Sequence, residues 1–164
     1  MKKNVGKLSE FSLSIRLFLK TYKWRRIDPV PWSPLKKPLS DCRLALVSSA
    51  GLVMSDQERF DESMRGGDPS FREIRGDVDV TTLIDTHRSE SFDHTGMEKD
   101  RNVAFPLDRL RELVERGRIG SVNPRHLSLM GSITAPGRFI KQHAPEAAQR
   151  FIDDGVDVAL LVPV

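Results

Sequence analysis

The sequence has 164 residues, with 26 Lys and Arg against 23 Asp and Glu and 38% apolar residues. That is about one domain's length, and the combination of hydrophobicity with low net charge excludes a disordered tail. A membrane-spanning helix is excluded too. The longest apolar candidate, Phe11 to Leu19, is broken by Ser12, Ser14 and Arg16 and falls short of the ~20 apolar residues a span needs.

That segment also lacks the continuous apolar centre and small-residue cleavage site of a secretory signal, so the expected location is cytoplasmic. The lone cysteine, Cys42, forms no internal disulfide and no metal-binding cluster, which fits a reducing compartment. The charge is uneven: residues 1–40 hold ten Lys/Arg and two Asp/Glu, net +8, whereas residues 41–164 hold sixteen and twenty-one, net −5. The basic character therefore belongs to an amino-terminal arm. No base-reading module follows it, so the arm is expected to contact acidic protein surface and not nucleic acid.

Along the chain, Leu8, Phe11, Ile15, Phe18 and Tyr22 repeat at the spacing of one helix face, which predicts an amphipathic helix over residues 8–22. Pro29, Pro31, Pro34 and Pro38 fix φ and remove donors, so residues 28–40 are expected as extended connection. This gives two regions, a basic helix and Pro-rich arm over 1–40 and an α/β domain over 41–164.

The run Arg43 to Val47, closed by Ser48-Ser49-Ala50-Gly51, reads as a buried strand entering a turn. Residues 54–76 are polar and contain Gly66-Gly67-Asp68-Pro69, which predicts a long surface excursion of the kind that often carries function. Val78, Val80, Thr82 and Ile84 alternate with their neighbours, as in a half-buried strand ending near Asp85. Pro106 to Val114, with Leu107, Leu110, Leu113 and Val114 on one stripe and Gly117 beyond, reads as a helix.

His126 to Gly131 reads as a further strand. Pro145 is expected to open a helix whose Ala148, Phe151 and Ile152 face inward, Gly155 to stop it, and Val156 to Val162 to form a last, apolar strand. Strands alternating with helices predict an α/β fold, a mostly parallel sheet with flanking helices, Rossmann-like or flavodoxin-like. Its last strand has no covering helix after it, so the sheet is expected to be incomplete at the carboxyl end, where such folds gather catalytic groups.

Several separated motifs share one likeness: Pro34-Leu-Lys-Lys-Pro-Leu39, Arg43-Leu-Ala-Leu-Val-Ser-Ser-Ala-Gly51, Asp85-Thr-His87 with Ser91-Phe-Asp-His94, Asp100-Arg-Asn102 with Phe105-Pro-Leu-Asp-Arg-Leu110, and Asp154 through Val164. Together they resemble the selenoprotein B family of glycine, betaine, sarcosine and D-proline reductases, from about Trp24 to the end. The resemblance implies reductive cleavage of a bond next to a carboxylate in an amino acid or amine, with a dithiol/disulfide electron couple. It also implies a thioredoxin-like dithiol donor and, in the best-known members, a pyruvoyl-containing partner subunit.

In that family the strand matching Val156 to Val164 is followed at once by selenocysteine or cysteine in a motif of the type U-P-x-C-H. The expectation is therefore that this reading frame is closed at a UGA selenocysteine codon directly after Val164, with no cofactor within the 164 residues themselves.

Asp85, His87, Asp93 and His94 fall within ten residues at the end of a predicted strand, where they are candidates for proton transfer or for holding a substrate ammonium and carboxylate. The plain alternative is that they cap turns. Arg88, with its two-pronged donor geometry, and Ser132, beyond a predicted strand, are candidate substrate-binding residues. No metal-ligand spacing is recognised among them.

Asp100 and Asn102 read as caps, His126 as a structural imidazole, and Cys42 as packing. Two other functions compete with the reductase reading: a metal-dependent hydrolase or lyase using Asp85, His87, Asp93 and His94, and a non-catalytic binding module in which residues 1–40 dock a partner.

Overall fold

The computed structural model describes residues 12–23, 26–89, 92 and 94–164, and the chain divides into two units at the Pro34–Leu35 junction. In the first unit, helix α1 covers Leu13–Thr21, its start capped by the Ser12 hydroxyl, which accepts from the Ile15 N–H. None of its residues is buried, and Leu13, Leu17 and Phe18 lie open to solvent. The expected helix began at residue 8; residues 8–11 lie outside the described residues. Among the described residues no helix is long and apolar enough to cross a membrane.

The second unit is built on strand β1 (Arg43–Ser48), which is almost wholly buried. Parallel neighbours flank it on both sides. On one side lie β5 (Ser121–Val122) and then β6 (Arg125–Leu129), in register Leu44 to Val122 and Val47 to Leu127. On the other lies β7 (Val158–Val162), with Leu44 opposite Val158 and Ser48 opposite Val162.

The ladder between β1 and β5/β6 is interrupted at Asn123-Pro124, where proline has no N–H to give. The His126 ring fills the break, its Nδ1 accepting from the Leu46 N–H at 3.0 Å. The expected α/β fold with a mostly parallel sheet is therefore present.

Three expectations need correction. The polar stretch 54–76 is not all loop, because β3 (Phe71–Arg75) pairs antiparallel with β6. Its charged residues concealed it, and they are tolerated because an edge strand keeps them in ion pairs such as Glu73 with Arg125. The alternating stretch 78–84 is not one strand. Asp79 caps a 3₁₀ turn over Val80–Thr82 by accepting from the Thr81 N–H, and only β4 (Ile84–Asp85) remains, paired antiparallel with β2 (Leu52–Val53). Short-range capping beats a weak period-two pattern here.

The third concerns the last helix and strand. Pro145 sits in the first turn of α4 (Ala144–Asp153), as expected, but a π-helical turn over Phe139–His143 runs directly into it, since a proline there cannot bond back to residue 141 and crowds its carbonyl. Of the expected inward residues, Phe151 is buried, but Ile152 is 68% exposed because it lies 100° round the helix from Phe151. β7, expected to need cover on both faces, stands at the sheet edge among the described residues, with Leu161 67% exposed.

Helices α2 (His94–Lys99) and α3 (Leu107–Glu115) flank the other face. Leu44, Leu46, Phe105, Leu107 and Leu110 form the main core there, while Ala45, Leu127 and Phe151 form a smaller one under α4.

Candidate active site

The parallel strands β1, β6 and β7 all end on the same edge of the sheet, and the chain beyond each end is tied to the others. After β1, the Ser49 hydroxyl accepts from the Val164 N–H at 3.0 Å, so the residues following β7 are held beside those following β1. The Gly131 N–H, past β6, donates to the Ser49 carbonyl at 2.8 Å.

Gly51 adopts φ +65, and its missing Cβ would sit 3.1 Å from the His87 backbone. Only glycine allows this approach. The Thr86 N–H and hydroxyl both donate to the Gly51 carbonyl, at 3.1 and 2.6 Å, which seats β4 and the residues after it on this edge.

Three of the four clustered polar residues expected to act together meet there. Asp85 accepts from the His87 N–H at 2.9 Å with Oδ1 and makes a short contact with His94 Nδ1 through Oδ2. His94 Nε2 faces the Ser89 carbonyl at 3.2 Å, and a carbonyl only accepts, so this nitrogen carries a proton. Donating to the Asp85 carboxylate raises the His94 pKa above the ordinary imidazole value, which favours the protonated ring held at both nitrogens.

His87 differs. Its Nδ1 accepts from the Ser89 N–H at 3.2 Å, which leaves the proton on Nε2. Burial lowers its pKa, outweighing the opposing pull of Asp85. The Phe92 ring packs edge-on at 5.0 Å between ring centres. His87 therefore presents one neutral N–H, and that Nε2 makes no hydrogen bond among the described residues. Asp93 lies outside the described residues.

The two expected substrate-binding residues also meet. Arg88 Nε donates to the Ser132 hydroxyl at 3.4 Å and a terminal nitrogen to the Ser132 carbonyl at 3.2 Å. The other terminal nitrogen donates to the carbonyls of Met64 and Glu62, at 2.9 and 3.3 Å. Four N–H bonds out of a guanidinium's five thus latch the loop after β2 to the segment after β6. What remains free is one N–H and a charge with no carboxylate beside it among the described residues.

Sequence reasoning missed a reinforcement of this latch. Gly67, at φ +93, lies so close to Ser132 that a Cβ would fall on its carbonyl oxygen. The Gly66-Gly67 pair was the visible signal.

The remaining candidates serve the framework. Asp100 caps the Arg101–Val103 turn, and Asn102 accepts from the Asp108 N–H at 3.1 Å. Cys42 is buried, and its thiol points at the Pro38 carbonyl. Burial lowers the His126 pKa to about 4, so the ring is neutral and structural, although its Nε2 has no partner among the described residues. No three of His, Cys, Asp and Glu come together as metal ligands among the described residues.

The opposite, amino edge is electrostatically closed. Arg125 clamps Asp154 through two bonds, at 2.9 and 2.5 Å, and Lys37 pairs with Asp157 at 2.8 Å.

Comparison with known proteins agrees with the motifs. Residues 12–163 match the family Glycine/sarcosine/betaine reductase selenoprotein B. The chain belongs to that selenoprotein B family. It is 36% identical over 136 residues to the D-proline reductase subunit gamma of Acetoanaerobium sticklandii, covering 82% of this chain and 54% of that one.

It is 29% identical over 134 residues to the sarcosine reductase complex component B subunit beta of Peptoclostridium acidaminophilum, covering 82% and 30%. The glycine reductase complex component B subunit gamma of Symbiobacterium thermophilum is 29% identical over 142 residues, covering 85% and 32%. The chain thus spans about half the length of the first selenoprotein B relative and about a third of the others. No solved structure matches it.

Proposed function

We propose that this chain is the front portion of a reductase subunit that uses selenium or sulfur to cleave a bond next to the carboxylate of glycine, sarcosine, betaine or D-proline, in the cytoplasm. For glycine the balance is one carbon–nitrogen bond broken and two thiol hydrogens delivered, one to the carbon and one to the departing amine, while the dithiol becomes a disulfide. A selenocysteine or cysteine supplies the nucleophile.

The observation that supports this reading is the tie between Val164 and Ser49, which holds the carboxyl end of β7 at the edge where His87 and the Arg88–Ser132 pair also lie. An anionic selenolate or thiolate fits there because the Arg88 charge is not cancelled by an acid among the described residues.

In this scheme the neutral His87 Nε2–H donates a hydrogen bond to the substrate and stabilises the charge that develops there, while both hydrogens come from the thiols. The Asp85–His94 pair holds the residues around His87 in place, and Asp93 is assigned to the same cluster on its sequence position alone. Arg88 and Ser132 border the substrate. A pyruvoyl-containing partner subunit and a thioredoxin-like dithiol donor complete the system.

The test is the whole reductase subunit, assayed with dithiol for carbon–nitrogen cleavage of the four substrates, with and without co-expressed partner subunits. Turnover is expected, with His87→Ala lowering it about a hundredfold or more. A whole subunit inert on all four with partners present would overturn the reading.

A further inference from the structure

The loop flagged by Gly66-Gly67-Asp68-Pro69 builds a second feature on this edge, a polar pocket of about 450 Å³ facing the start of the helix that follows β6. We infer that this pocket, through Arg138 and Arg59, holds the carboxylate of the substrate. The inference rests on the reductase reading for the identity of that substrate and on the pocket itself for the chemistry.

The walls are rigid. Asp68, only 5% exposed, accepts from the Asp61 N–H at 3.0 Å and from the Ser70 N–H and hydroxyl at 2.9 and 2.6 Å. Arg72 donates to the carbonyls of Glu58 and Arg59, at 2.8 and 3.1 Å, and lies over the Phe60 ring at 4.4 Å. Its charge is spent on that framework and on Asp68, 3.9 Å away.

Arg138 is not spent. The only contact of its guanidinium among the described residues is with the Met64 thioether, at 3.7 Å, and sulfur is a weak acceptor for a full charge. Arg59 uses its backbone carbonyl in the framework and has no acid beside its side chain among the described residues. His143, on the π-helical turn, lines the same space. Two arginines that line one cavity and form no ion pair among the described residues can serve an anion of forked geometry.

The acids on the walls narrow the ligand further. The Asp61 carboxylate is bound to the Ser63 N–H and hydroxyl, at 2.8 and 2.6 Å, and Glu58 stands at the rim. Their negative charge disfavours a dianion and accommodates a cationic nitrogen, so the fitting ligand is a small carboxylate that carries its own positive nitrogen. The location is consistent with the reaction edge, because Met64 links the two features: its side chain meets Arg138 and its carbonyl accepts from Arg88.

The test is calorimetric titration of the full chain with glycine, acetate and inorganic phosphate. Glycine and acetate are expected to bind saturably, and phosphate no more tightly than acetate. Arg138→Gln and Arg59→Gln should each weaken binding roughly tenfold or more, with Arg138→Lys losing less. Both side chains are exposed, so the thermal unfolding midpoint should stay unchanged.

Unaltered affinity in both Gln variants, no saturable binding of glycine or acetate, or phosphate binding more tightly than acetate would overturn the inference. The assay needs no redox residue. Arg138-dependent binding here, together with a whole subunit inert beside its partners, would therefore sink the reductase reading and leave the pocket standing, and turnover by the whole subunit without such binding would do the reverse.

Discussion

Two histidines in this fold titrate in opposite senses. His94, paired with Asp85, has a raised pKa, so its pairing is fully present below the ordinary imidazole value of about 6.5 and is lost as pH climbs through the raised value. NMR titration should place the His94 midpoint above that of a free imidazole, and Asp85→Asn should lower it; an unmoved midpoint would show that the pair does not form.

His126, with a pKa pushed down to about 4 by burial, stays neutral in the native state while the unfolded chain takes up a proton. Its contribution is present above about pH 6.5 and is lost as pH falls towards 4, by about 3 kcal/mol in total. Urea midpoints measured from pH 7 to 4 should fall in the wild type and fall less in His126→Gln. The clustering of Asp85, His87 and His94 was legible from spacing alone. Their division into a locked cation and a neutral donor was not, because it depends on the backbone groups of Ser89, which carry no sequence signal.

At the level of elements, the strongly apolar strands and the helix from Pro106 could be read directly, since burial and period coincide there. β3 could not be: its sequence is charged, and only antiparallel pairing to β6 reveals it. The π turn was equally hidden, because Pro145 announces a boundary without saying that the helix continues through it.

The latch between the loops after β2 and β6 makes a sharp prediction. Gly67→Ala forces a Cβ onto the Ser132 carbonyl at a φ that side chains avoid, and should destabilise the fold by roughly 1–3 kcal/mol in denaturant unfolding. A neutral result would show that the latch is loose. At the sheet edge, Leu160 and Leu161 on β7 are exposed beside an apolar groove of about 370 Å³ that includes Leu161 and Phe151. An uncharged apolar edge invites pairing, so the 164-residue chain should self-associate in light scattering and Leu161→Lys should reduce it; equal association in both forms would acquit β7.

For the whole molecule, charge is sorted by edge. At the amino edge Arg125, Asp154, Lys37 and Asp157 neutralise one another; at the carboxyl edge Arg88 and Arg138 form no ion pair among the described residues. That separation gives the parallel sheet a direction that composition alone did not reveal, because the net charge sums both edges. The family was legible from separated motifs and is matched over residues 12–163, whereas the pocket at Arg138 and Arg59 needed the fold to bring the stretch leading into β3 against the π-helical turn after β6.

The claim on which the functional account turns is that the edge carrying His87, Arg88 and Ser132 is the site of reductive cleavage. Dithiol-dependent carbon–nitrogen cleavage by the whole subunit with its partners tests it most directly. The account predicts turnover that His87→Ala lowers about a hundredfold or more, and equal turnover in the two forms would contradict it.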